Sequence, residues 1–102
     1  MKASEMVTAA RLATHYETRG VDNPLDSAQH DVLKFKSDAP ELWERLQKSS
    51  MSDRDIGDWV YEFLDRWTRS NMSFKNFVAT ESPVVLQRGA RRGRRRPLLR
   101  GL

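Results

Sequence analysis

The stretch SDRDIGDWVYEFLDRWTR, residues 52–69, decides the fold. Ile56, Trp59, Val60, Phe63, Leu64 and Trp67 recur at i, i+3, i+4, i+7, i+8 and i+11, the period that stacks side chains on one face of an α-helix. Ser52 precedes the run as its cap, with Asp55 three residues on. Asp53, Asp55 and Asp58 place negative charge at the helix end where backbone N–H groups point out unpaired. The spacing predicts a helix over 52–69 whose broad apolar face organises the core.

Upstream, Asp38-Ala39-Pro40-Glu41 reads as another helix start. Asp38 is the cap, Pro40 falls in the first turn where its missing N–H costs nothing, and Glu41 stands at the capping-box position. That helix is expected to run to about Lys48 and to bury Leu42, Trp43 and Leu46. Farther back, Ser4 to Arg19 contains neither Pro nor Gly and carries Met6, Ala10, Ala13 and Tyr16 at three-to-four-residue spacing, with Val7 and Ala9 beside them. Gly20 is placed to end this helix in a left-handed conformation, and Asn23-Pro24 is turn chemistry. Asp26 or Ser27 then caps a helix through Lys36 with Ala28, Val32, Leu33 and Phe35, although its β-branched and aromatic content also suits an extended strand. Downstream, Ser70-Asn71-Met72-Ser73 is a break, Phe74, Phe77 and Val78 form a last short helix over the Trp-rich face, and Pro83 ends regular structure. The expected fold is all-α, four to five short helices in a body spanning 1–86, followed by a basic, disordered tail over 87–102.

Charge divides the chain at the same place. The net charge of +4 conceals Arg88, Arg91, Arg92, Arg94, Arg95, Arg96 and Arg100, seven cations with no acid among them. Of the 18 basic residues 11 remain before them, against all 14 acids, so the body is net −3. A polyanion would meet the tail first and be repelled by the body. Arginine's planar fork binds phosphate bidentately and stacks on bases, and Gly89 and Gly93 let the backbone follow an irregular groove, as in arginine-rich segments that order on RNA. The seven arginines are therefore the candidate nucleic-acid contacts, with RNA the expected ligand. Other readings of such a run are an import signal, adhesion to an acidic protein or lipid surface, or a solubilising end. Leu98, Leu99 and Leu102 interrupt its polarity and are either docking residues or the apolar residues of a frayed terminus.

Other chemistries find less support. The chain has no Cys, which removes disulfides, thiolate metal sites and cysteine nucleophiles. No run reaches the roughly 18 apolar residues of a membrane span, and Lys2 is not followed by a signal-type apolar segment. An intracellular soluble protein is expected, its compartment unresolved. Asp53 and Asp55 diverge by about 200° on a helix, so the three acids read as a helix start, not a Mg²⁺ site, although Asp55 and Asp58 share a face. His15 and His30 are the imidazoles, His30 positioned to pair with Asp26 at i, i+4. No nucleophile elbow or phosphate loop is present, so no catalysis and no cofactor is expected. The aromatic residues suit a core better than a base-stacking platform, and Tyr61 should project from the outer face of its helix beside Glu62, Asp65 and Arg54, solvated or marking a partner contact. These readings converge on a small non-catalytic RNA-binding protein, a ribonucleoprotein accessory or viral or mobile-element factor. The alternative is an interaction subunit whose body docks on a protein or forms a homodimer while the tail threads into a partner.

Overall fold

The computed structural model describes residues 1–80. Within them the chain is all-α: α1 (Ala3–Thr18), α2 (Pro24–Asp38), α3 (Pro40–Lys48), α4 (Asp53–Ser70) and α5, which occupies 74–80. Pro83, the boundary at 86/87 and the whole tail lie outside the described residues.

Residues 52–69 behave as their pattern requires. The Ser52 hydroxyl accepts the Asp55 N–H at 3.0 Å, closing the start of α4. Ile56, Trp59, Val60 and Phe63 are buried, while Leu64 and Trp67 are partly covered. Asn71 takes the left-handed conformation at φ 61° and stops the helix, after which Ser73 caps α5 by accepting the Asn76 N–H. Phe77, buried, lies 4.9 Å from Phe63, and Phe74 lies 5.2 Å from Trp67, both edge-on. The last helix closes over the aromatic face as expected.

α1 packs against both α2 and α4, with a face that only partly coincides with the one its sequence suggested. Of the Met6–Ala10–Ala13–Tyr16 stripe only Ala13 and Tyr16 reach the core: Met6 is 40% and Val7 49% exposed, and Ala10 is exposed as well. Glu5, Thr8, Ala9 and Leu12 complete the buried face. The reason is that two polar members of the inner face find partners there. The Thr8 hydroxyl donates to the Asp53 carbonyl at 2.9 Å, and Glu5 accepts from Lys36 of α2 at 2.8 Å and from the Lys2 N–H at 3.2 Å. A pattern count that scores Thr and Glu as outward therefore misplaces part of this helix's inner face. Close approach supplies the rest. At Gly57 of α4, an added Cβ would stand 2.7 Å from Arg11 Cβ and 2.8 Å from the Thr8 carbonyl oxygen, so only glycine lets the two backbones come this near.

The joints also differ in detail. Gly20, at φ 78°, ends α1 as anticipated: its N–H reaches the Glu17 carbonyl while that of Val21 reaches back to Tyr16, the paired bonds of a Schellman turn. α2 begins earlier than Asp26 or Ser27, because Pro24 itself fills the first helical position and Asn23, at φ 50°, carries the turn. It is a helix throughout, with Ala28, Val32 and Phe35 buried and Leu33 left 49% exposed. Asp38 does not cap α3. It is the last residue of α2, paired with Lys34 at 2.9 Å, and Ala39 alone separates the two helices because the residue before a proline is driven out of helical conformation. Leu42, Trp43 and Leu46 are buried as the sequence implied.

Candidate functional site

Arg88, Arg91, Arg92, Arg94, Arg95, Arg96 and Arg100 all lie outside the described residues, as do Leu98, Leu99 and Leu102. What the structure describes is the helical body that precedes them in sequence. On it, Arg11, Arg19, Lys34, Lys36, Lys48 and Arg69 each stand within ion-pair distance of a carboxylate of the body. Cations already neutralised this way give a phosphate backbone little to hold.

The densest polar arrangement is the seam between α1 and α4. Arg11 Nε donates to Asp58 Oδ1 at 2.7 Å, and His15 Nε2 lies 2.6 Å from the same oxygen. Burial alone would raise the Asp58 carboxyl, but hydrogen bonds from Arg11 and His15, with the charge of both, outweigh it and hold the group below its ordinary range. The His15 ring stacks on Tyr61 with centroids 4.3 Å apart and planes 7° from parallel. Arg19 donates to the Tyr61 hydroxyl at 3.0 Å and to Asp65 at 3.2 Å, and Arg69 closes the row on Asp65 at 2.9 Å. Tyr61 therefore does not project from a free outer face; it is partly buried beneath α1. The spacing held this information: Arg11, His15 and Arg19 repeat at i, i+4 and i+8, opposite Asp58 and Asp65 at i and i+7, two complementary stripes on helices that cross. Asp58 is committed to α1 and Asp55 to the helix start, whereas Asp26 and His30 both stand exposed.

A cleft of about 310 Å³ opens between α2, α4 and α5, with Phe35, Leu64, Trp67 and Phe74 as its apolar floor. Two polar pairs on its rim are closed within the body. The Tyr16 hydroxyl donates to Asp31 at 2.5 Å, and burial with that carboxylate pushes the phenol well above its ordinary value; Lys34 and Asp38 pair on the other side. Of the aromatic set, Trp43, Trp59, Phe63 and Phe77 are buried and so are core residues, while Trp67 and Phe74 reach the cleft edge-on to one another. Trp59 Nε1 is buried without a hydrogen-bond partner among the described residues.

The fold thus defines a small all-α domain with an acidic body. No helix among the described residues is long and apolar enough to cross a membrane. No protein-family model matches the chain, and neither a curated protein nor a solved structure proves similar to it.

Proposed function

We propose that this chain is a small non-catalytic RNA-binding protein, acting as a ribonucleoprotein accessory or as a viral or mobile-element factor, whose Arg88, Arg91, Arg92, Arg94, Arg95, Arg96 and Arg100 contact phosphate. The observation that carries this reading is the segregation of charge. Seven arginines without a neighbouring acid follow a body that is net acidic and pairs most of its own cations internally. Such a plan makes the arginine run the densest place for a polyanion to bind, with low sequence specificity and strong salt dependence.

The test is fluorescence anisotropy with single-stranded RNA, duplex RNA and duplex DNA, comparing the full chain with a variant in which Arg91, Arg92, Arg94, Arg95 and Arg96 are replaced by Gln. Neutralising five to seven phosphates of a single strand predicts about a 10²- to 10³-fold loss of affinity between about 50 and 200 mM salt. The variant should lose most of that binding and most of its salt slope. Retained affinity would move the site to the body, no binding at low salt would overturn the reading, and a preference for duplex DNA would replace RNA as the ligand.

A further inference from the structure

Six of the seven large hydrophobic side chains exposed among the described residues, Met1, Met6, Val7, Val21, Leu25 and Leu33, belong to the first 33 residues. On α1 the outward face runs Ala3, Met6, Val7, Ala10 and Thr14 without a charge, in a chain where 31% of residues are charged. The Thr14 hydroxyl donates to the Arg11 carbonyl of its own helix, which satisfies its polar group locally. Beside this stripe, α2 presents Leu25, Gln29 and Leu33 at i, i+4 and i+8, and Gln29 Nε2 sits 3.8 Å from Met6 Sδ, so the two rows form one surface.

Helix periodicity pairs position 3 with 17 and 6 with 14 about Ala10, with unlike residues, and pairs Leu25 with Leu33, which are alike, about Gln29. A twofold axis between these centres would lay Met6 over Thr14 of the other copy, Leu25 over the other Leu33, and one Gln29 amide against the other, where each can both donate and accept. The ends are complementary too. Lys2 and Glu17 are exposed, lack an ion-pair partner among the described residues, and occupy opposite ends of the α1 stripe, so antiparallel packing brings each Lys2 to the partner copy's Glu17. The nearest ion pair, Glu5 with Lys36, is closed within one copy. An apolar patch rimmed by polar residues and carrying no net charge of its own suits a second copy of itself better than a strongly basic or acidic partner.

We propose that α1 and α2 are the dimer interface of this protein, packing as antiparallel hairpins of a four-helix arrangement around a twofold axis through Ala10 and Gln29. α5 packs on Phe35 and Phe63 in the core, not on this face. The dimer stands independently of the RNA reading; where both hold, two tails on one particle give a bivalent ligand.

Sedimentation velocity of the full chain without nucleic acid tests it, over concentrations up to about 100 μM, in the range of a small transient interface. The expected result is a reversible shift from an 11.9 kDa species to one of twice that mass. Ala10→Arg places like charges on the axis and should weaken association by about a hundredfold or more, with helical circular dichroism unchanged because residue 10 is exposed. Lys2→Glu and Glu17→Lys, each favourable to the dipole of α1, should each weaken the dimer, and the double exchange should restore it. A chain that stays monomeric overturns the proposal. So does a dimer indifferent to Ala10→Arg, or association removed by the tail Arg→Gln changes, which would be tail-to-body contact.

Discussion

The inner face of α4 and the outer face of α1 are both apolar stripes at helical spacing, yet one is the centre of the core and the other is bare. The α4 stripe is built from large rings. Phe63 alone lies within 4.9 to 6.2 Å of the ring centroids of Trp59, Phe35, Phe74 and Phe77. On α1 the outward stripe is Ala, Met and Val, and the helix turns Leu12 inward together with its small and polar neighbours, because Ala9 and Ala13 let the chains approach and Thr8 and Glu5 find partners. Periodicity reports that a face is apolar; side-chain volume and the presence of acceptors decide which face is buried.

Breaking the contrast from the α4 side should have the largest effect. Phe63→Ala removes a fully buried ring from the aromatic cluster and should destabilise the fold by about 3–5 kcal/mol, measured by urea unfolding. Gly57→Ala tests the close approach. In an open helix it would stabilise by roughly 1 kcal/mol, but here the new methyl meets the Thr8 carbonyl and should cost about 1–3 kcal/mol, with the opposite sign from helix propensity. A neutral outcome there would mean that α1 and α4 are not packed so tightly.

The α1 side sharpens it further. Lys36→Met leaves the buried Glu5 carboxylate without its cation and should cost roughly 1–3 kcal/mol at neutral pH. The same pair predicts acid lability. The Lys36 hydrogen bond, against the opposing effect of burial, holds Glu5 below its ordinary value of 4.5 in the fold. Its contribution is therefore complete above that value and is lost as pH falls through the lower folded one. Thermal unfolding in acid should lose part of its slope in Glu5→Gln. Trp59→Phe removes some buried area but also an indole N–H that has no acceptor among the described residues, so these oppose and the net loss should stay within about 1 kcal/mol. Least of all, Val7→Ser in dilute solution should change stability by no more than about 0.5 kcal/mol; a larger loss would place Val7 in the core after all.

Much of the architecture was legible because α3 and α4 advertise it. Leu42, Trp43, Leu46 and the Ile56 to Phe63 face are large, and Ser52 caps where its type predicts. What sequence missed depends on pairs across helices. Nothing local in Glu5 or Thr8 announces Lys36 or the Asp53 carbonyl. Tyr61 sits opposite Trp59 on its own helix, so its spacing alone points it outward; the contacts that cover it come from α1. Asp38 resembles a cap, yet the helix before it had further to run. The candidate site was legible only as charge, since arginine composition carries the argument without any fixed geometry.

Ala39 serves at once as the end of α2 and the start of α3, which leaves this joint no slack. One residue inserted there would turn α3 by about 100° about its axis and swing Leu42, Trp43 and Leu46 away from the core. The turns at 19–23 and 49–52 have residues to absorb such a change. Length variation in relatives of this chain should therefore collect at those two turns and spare the junction before Pro40.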